Sequence, residues 1–459
     1  MTGAPLSCDL AVVGGGAAGL SVAAGSARLG RSVVLFERGE MGGECLNTGC
    51  VPSKALLAAA ARRPAPGLAD AMEEVRRAIR TIAPHDSQER FEGLGVRVVR
   101  EHARFADPKT LESASLRVRA RRVVIAAGSR PAIPRLQGIA TVPYLTNESV
   151  FDLSALPAHL LILGGGAVGV ELAQGFRRLG AEVTVVEAGR PLAGFEPAHA
   201  DLVLERLRAE GVHILAGARA EAVAQEGAGV VLTLDDGRQI AASHFLVAAG
   251  RAPATEGLDL QAGGVATDAR GFIRTDDRLR TSNPRVYAAG DAAGREMLTH
   301  AAGAQAALLI RNFYFFGRAR WPAAPVPAAL YTDPELAQVG LTAEEARRRH
   351  GKSVRVTRAP FAGNDRAIAE GETEGEVTLA AGRGGKILGV SIAGREAGEL
   401  IQIAQAAMAA GGGVKSLTGM IAPYPTRGEA VRRAASAWYE DLVFGKLARR
   451  IAALAARLH

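Results

Sequence analysis

An α/β fold that uses one structural unit twice, followed by a separate C-terminal α+β domain, is predicted by three observations. An apolar strand, a glycine-rich turn, a helix pattern, a second strand and a terminal acid occur in that order from Leu10 to Glu37 and again from Leu160 to Glu187. The interval from first glycine to acid is the same in both copies, 37 − 14 = 23 and 187 − 164 = 23. From Tyr331 the chain changes character and reads as strands entering helices, as in Leu388 to Ile392 followed by Ala397 to Ile401. The copies are expected to be Rossmann-like dinucleotide-binding domains.

In the first copy, Leu10-Ala11-Val12-Val13 is the strand, and Gly14, Gly16 and Gly19 form the turn and open the helix. Glycines there permit a tight turn and close approach of a pyrophosphate to the helix N-terminus. The strand Ser32 to Phe36 then ends at Glu37, placed to accept hydrogen bonds from a ribose. The second copy repeats each part: Leu160 to Leu163, then Gly164, Gly166 and Gly169, then Glu182 to Val186 ending at Glu187. Each copy closes with a similar strand and turn, Val123 to Gly128 and Phe245 to Gly250. A lone glycine fingerprint is weak; two complete ones in order are strong, and two dinucleotides are expected.

Cys45 and Cys50 follow the first copy in the stretch Gly42-Gly43-Glu44-Cys45-Leu46-Asn47-Thr48-Gly49-Cys50-Val51-Pro52-Ser53-Lys54. The four-residue gap lets the sulfurs bridge if the chain bends at Asn47-Thr48-Gly49, so a reducible disulfide is expected. Half a zinc site is the competing reading, but Cys8 is the only other cysteine and no Cys/His cluster completes four ligands, so no metal is expected. The two thiols follow the first copy rather than the second.

The 459 residues are 48% apolar and 22% charged, which suits a globular protein of two to four domains. No apolar run approaches the ~20 residues that span a bilayer, and Met1 to Cys8 lacks a charged leader segment. A cytoplasmic location, reducing enough for cycling thiols, is expected. The net charge of +8 is spread along the chain as arginine without interleaved aromatics, which argues against a nucleic-acid partner. The segment Leu442 to His459 carries an apolar stripe at helical spacing among Lys446, Arg449, Arg450 and Arg457, and is expected to pack on the body of a dimer rather than on a membrane. Arg62-Arg63-Pro64-Ala65-Pro66 reads as a loop.

The segment from Gly42 to Lys54 resembles the redox-disulfide motif of the flavin-dependent pyridine nucleotide-disulfide oxidoreductases, a family that includes dihydrolipoamide dehydrogenase, glutathione reductase and mercuric reductase. The resemblance extends over nearly the whole chain and implies four segments. These are an FAD-binding domain at 1–155, an NAD(P)-binding domain at 156–270, a central FAD segment at 271–330 and a dimerisation domain at 331–459. By resemblance Cys50 lies against the flavin as a thiolate, Cys45 is the interchange thiol, and Lys54 with Glu171 forms an ion pair near the flavin's reactive edge. Arg38, Gly43, Ala103, Gly128, Asp291 and Thr299 are then expected with Gly14, Gly16, Gly19, Glu37 and Lys54 as cofactor-binding residues, and Gly250 and Arg251 with the second copy. Asp291 ends Val286-Tyr287-Ala288-Ala289-Gly290-Asp291, which resembles the family's second flavin motif. Glu187 at the ribose position disfavours a 2′-phosphate, so NAD(H) is expected in preference to NADP(H), with Arg190 nearby as the complication. Ala167 stands where relatives often carry an aromatic gate.

The tail departs from the family's disulfide reductases. They end with histidine, proline and threonine and a glutamate five residues after the histidine; this chain has Tyr424-Pro425-Thr426-Arg427-Gly428-Glu429. A phenol with reference pKa about 10 is a poor base at neutral pH. Tyrosine there, and Asn364-Asp365-Arg366-Ala367, are similar to the mercuric reductase branch, yet no cysteine follows Cys50. In this family a partner's tail completes the active site, so a homodimer is expected, with Tyr424 and Glu429 as site residues. The reading is an FAD-dependent oxidoreductase moving electrons between NAD(P)H, FAD and the Cys45/Cys50 pair and acting on a dithiol or disulfide. The alternatives are a metal-ion or oxidant reductase and a redox sensor without turnover.

Overall fold

The computed structural model describes residues 4–62, 64–322 and 324–456. These divide into two units, one made of the described residues of 1–189 and 215–323 and the other of those of 190–214 and 324–459. In the first unit, β1 (Leu6–Val13) runs between β2 (Val33–Phe36) and the strand Arg117–Ile125, all parallel, with Val13 level with Phe36 and Ile125. Leu10, Ala11 and Val12 have no solvent exposure, as expected for a parallel sheet covered on both faces. The strand Val96–Val99 extends the sheet beyond β2, and Val286–Ala288 joins it beside Val123–Ile125. Helix α1 (Ala17–Arg28) follows β1 directly.

The second copy has the same plan. Strand His159–Leu163 lies between Glu182–Glu187 and His244–Val247, again parallel and in register at Leu163, Val186 and Val247. Helix Ala167–Arg178 follows it. A three-stranded antiparallel sheet, Ala220–Glu226, Gly229–Leu234 and Gln239–Ala242, is inserted before the last of these strands.

Between the copies, α2 (Gly43–Asn47) and α3 (Cys50–Ala60) carry the cysteines and are separated at Thr48 and Gly49, the bend the sequence predicts. The chain then loops to helix Leu68–Ile82; Arg62 pairs with Glu74 across that loop, and Arg63 lies outside the described residues.

The second unit is built on a five-stranded antiparallel sheet in the order Pro327–Leu330, Leu336–Gly340, Ile387–Ala393, Glu376–Ala381, Arg355–Pro360. Its core joins Val339, Leu379, Val390 and Ile392 from the sheet to Ile401, Ala404, Val431 and Ala434 from helices Ala397–Ala409 and Glu429–Trp438. The expected single helix from Leu442 is instead two: Glu440–Phe444 ends at Gly445, whose backbone is extended (φ −67°, ψ 168°), and Lys446–Ala455 begins after it. Phe444, Leu447, Ile451 and Leu454 are exposed on this chain rather than packed against it; Arg457, Leu458 and His459 lie outside the described residues. Among the described residues no helix is long and apolar enough to cross a membrane.

Candidate active site

The two glycine turns are superimposable in their chemistry. Gly14 has φ +110° and Gly164 φ +118°, and a Cβ on either would lie 2.2 Å or 2.3 Å from the carbonyl oxygen of Ala126 or Ala248, the strand-end residue opposite. Only glycine satisfies both the positive φ and the close approach. The acid at the end of the neighbouring strand holds each turn. Glu37 accepts N–H bonds from Gly15 (2.5 Å) and Gly39 (2.6 Å), and Glu187 accepts from Gly165 and Gly189, both at 2.8 Å.

A cavity of about 580 Å³ opens from the first turn. It is lined in sequence order by Gly14 and Gly16, by Glu37 and Arg38, by the cysteine segment from Gly42 to Lys54, and by Gly128, Glu171, Arg251, Asp291 and Thr299. Nearly every residue expected to hold FAD therefore faces one space. Ala103 is buried and lines a smaller cavity of about 50 Å³ that shares Gly14, Glu37 and Arg38. A cleft with backbone N–H groups and a helix N-terminus at one end and thiols and an ammonium at the other fits a flavin dinucleotide. Gly164, Gly166, Gly169 and Glu187 form the separate second turn, whereas Arg251, expected with them, lines the first cleft.

The cysteines are unbridged thiols in this structure. Cys50 is the first residue of α3, where the positive end of the helix favours an anion. Its pKa is lowered to about 6, chiefly by a hydrogen bond from Cys45, with Thr299 and the Lys54 ammonium assisting against burial and Glu171. Thr299 Oγ1 lies 3.5 Å from Cys50 Sγ, at the start of helix Thr299–Tyr314. The same hydrogen bond, together with burial, pushes the Cys45 thiol far above its ordinary value. One thiolate and one thiol thus share a proton-donating contact, with the charge on Cys50.

Lys54 lies four residues after Cys50, on the same face of α3. Its Nζ donates to Glu171 Oε2 at 2.8 Å, and Glu171 is buried in helix Ala167–Arg178 of the second copy. The second copy therefore supplies a carboxylate to the reactive end of the first.

In the other unit, Tyr424 is exposed, and its hydroxyl donates to Asp365 Oδ2 at 3.1 Å. Glu429, the other site residue expected in the tail, accepts the backbone N–H of Thr426 at 3.4 Å. Asp365 raises the phenol's pKa by accepting its hydrogen bond and by its charge, so Tyr424 is held protonated. Sequence reasoning singled out the segment containing Asp365 but not this pairing. It missed Asn147 and Ser129 altogether, which bond Glu44 and Asp291 across 103 and 162 residues of chain. Ser129 directly follows Gly128, the end of the repeated strand and turn, whereas no short motif surrounds Asn147.

Comparison with known proteins accords with this geometry. Residues 8–306 match the family described as pyridine nucleotide-disulphide oxidoreductase, and residues 326–435 match that family's dimerisation domain, which fits a homodimer. A mercuric reductase of Streptomyces lividans is 37% identical, over 95% of this chain and 97% of its own length. A dihydrolipoyl dehydrogenase of Thermus scotoductus is 36% identical, over 95% of this chain and 98% of its own. Among solved structures, the Cu(II) complex of the HOCl-induced flavoprotein disulfide reductase RclA of Escherichia coli matches with a TM-score of 0.87 and 28% identity, covering 93% of this chain and 99% of that one. Two nucleotide turns, a thiol pair beside one of them and full-length relatives of the same build lead to one assignment: the chain belongs to the pyridine nucleotide-disulphide oxidoreductases and is an FAD-dependent oxidoreductase using NAD(P)H.

Proposed function

We propose that this protein is an NADH-driven reductase that passes electrons through Cys50 and Cys45 to a soft, thiol-binding metal ion. The observation that carries the reading is the bond from Tyr424 to Asp365. A disulfide acceptor requires a proton to be held and returned as each sulfur leaves, and a phenol whose pKa is raised above its ordinary value is a poor base for that work. A metal ion bound as its thiolate needs no such base, and a hydroxyl donor beside the site is compatible with it. The similarity to mercuric reductases and to a flavoprotein structure that holds Cu(II) supports the same class.

In this reading the chemistry FAD supplies when bound is two-electron exchange between a nicotinamide and a disulfide. Gly14, Gly16, Gly19, Glu37 and Arg38 hold its dinucleotide end, Asp291 its sugar-alcohol chain, and Lys54, fixed by Glu171, its reactive edge. Cys50 keeps the thiolate, and Cys45 keeps the proton until it engages the acceptor. Gly164, Gly166, Gly169 and Glu187 receive the nicotinamide nucleotide. Glu187 favours an unphosphorylated ribose, and Arg190, the nearby cation, already donates to Asp201 at 2.8 Å. Tyr424 from a partner copy completes the acceptor site, with Glu429 bracing its loop.

A dihydrolipoamide-type dithiol is the second reading, favoured by the dihydrolipoyl dehydrogenase relatives. Stopped-flow reoxidation separates the two. The enzyme is reduced anaerobically with NADH and mixed in turn with mercuric ion, cupric ion, lipoamide and oxidised glutathione. Fast discharge by a metal ion alone supports the proposal. Fast discharge by lipoamide transfers the assignment to the second reading, and slow discharge by all four marks a redox sensor.

A further inference from the structure

Glu44 precedes Cys45 in α2, a helix of five residues. A helix that short has no stability of its own, so its position is set by side-chain ties. On one flank Asn47 Nδ2 donates to the carbonyls of Met41 (3.0 Å) and Gly43 (2.8 Å). On the other, Glu44 is gripped by residues distant in the chain. Arg251 Nη1 donates to Glu44 Oε1 at 2.7 Å while Nη2 donates to Oε2, a two-pronged pair, and Asn147 Nδ2 donates to Oε1 at 2.8 Å. Asn147 is buried and uses the same amide to reach the carbonyl of Thr48 at 3.2 Å, in the bend between the two cysteines. Arg251 Nε continues to Ser129 Oγ at 2.7 Å, and the Ser129 hydroxyl donates to Asp291.

We infer that Glu44 is the positioning residue for the interchange thiol, and that Arg251 and Asn147 are the locks that hold it. The inference concerns the thiol relay and does not depend on which acceptor the enzyme reduces. A planar guanidinium across both carboxylate oxygens fixes orientation as well as distance, which a single contact could not. Burial raises the Glu44 pKa and the Arg251 guanidinium counters it, so the arginine favours the charged carboxylate that the two-pronged pair requires. Arg251 follows the last parallel strand of the second copy, next to Gly250. The placement of Cys45 in the first copy is therefore tied to the folding of the second. Since the Cys45 thiol is the main hydrogen-bond donor to the Cys50 thiolate, a displaced α2 changes the chemistry of Cys50 too.

The test uses the full-length, FAD-loaded enzyme with Glu44→Gln, Glu44→Ala and Asn147→Ala substitutions. FAD content is measured from absorbance, the Cys50 thiolate by a pH titration of the NADH-reduced enzyme, and Cys45 by its rate of alkylation. For Glu44→Ala with FAD retained, the thiolate titration should move upward in pH, and thiol-linked turnover should fall about tenfold to a hundredfold, the scale expected of a misplaced reacting group. Glu44→Gln, which keeps the hydrogen-bonding shape without the charge, should recover part of both. FAD lost in step with turnover would assign Glu44 to cofactor binding instead, and an unmoved titration with normal turnover would leave it a simple surface pair; either result overturns the inference. If Glu44→Ala does not fold, Asn147→Ala takes its place: an upward-shifted thiolate titration supports the inference, and an unmoved one overturns it.

Discussion

The hydroxyl of Tyr424 donates to Oδ2 of Asp365 across 3.1 Å, and Glu429 makes no hydrogen bond to it among those described. Where the family's disulfide reductases carry a histidine, this chain has a phenol that donates to a carboxylate and is thereby held protonated. This relationship predicts that Tyr424→His restores a base. Turnover with lipoamide should rise by about tenfold or more, within the usual range for general-base catalysis, while turnover with mercuric ion should not improve. Steady-state kinetics with both acceptors check it, and equal gains with both would contradict the role argued for the phenol.

Cys50 should titrate as a thiolate near pH 6 in the reduced enzyme. Replacing Cys45 with alanine removes the principal donor and should move that midpoint upward; serine, which can still donate, should move it less. The folded-state pKa is depressed, so the unfolded chain binds more protons between pH 6 and the ordinary thiol range. By linkage, stability of the reduced form should therefore rise with pH through that window and be lost as pH falls through 6. Denaturant midpoints of the reduced enzyme, compared with the Cys50→Ser variant, measure the difference.

Lys54→Met should both destabilise the protein and weaken the thiolate. Glu171 is buried and would lose an ammonium at 2.8 Å, a change of about 1–3 kcal/mol when a buried acceptor is left short of a donor. The Cys50 midpoint should also rise, since Lys54 favours its anion. Replacing Lys54 and Glu171 together, by methionine and glutamine, should return part of the stability and, because Glu171 opposes the Cys50 anion, should offset part of the rise in the midpoint. Urea unfolding and thiolate titration read the two effects separately.

Gly164→Ala should separate the two nucleotide units. The new Cβ would stand 2.3 Å from the Ala248 carbonyl oxygen at a φ of +118°, so the second turn must open, while the first turn has its own glycines. The variant is expected to purify with FAD and to lose most of its reduction by NADH. Gly14→Ala should instead purify without flavin. Flavin absorbance and anaerobic NADH reduction check both, and an NADH rate left intact in Gly164→Ala would remove the second turn from nicotinamide binding.

Much of this protein was set locally along the chain. Backbone geometry at Gly14 and Gly164, the parallel strands that lead into them and the bend between Cys45 and Cys50 follow from residue types at fixed short spacings, because turns and strands obey local steric rules. The repeated 23-residue interval could therefore be read directly, together with both nucleotide turns. The same holds for the strand and helix at Ile387–Ala393 and Ala397–Ala409. Tertiary structure alone decided which charges meet. Arg251 reaches Glu44 across 207 residues, Lys54 reaches Glu171 across 117, and Tyr424 reaches Asp365 across 59 rather than pairing with Glu429 in its own segment. Side-chain partners of that kind depend on how separate elements pack, and no local rule encodes them. The two glycine turns were legible for this reason, whereas the electrostatics around Cys50, Cys45 and Tyr424 came only from the folded chain.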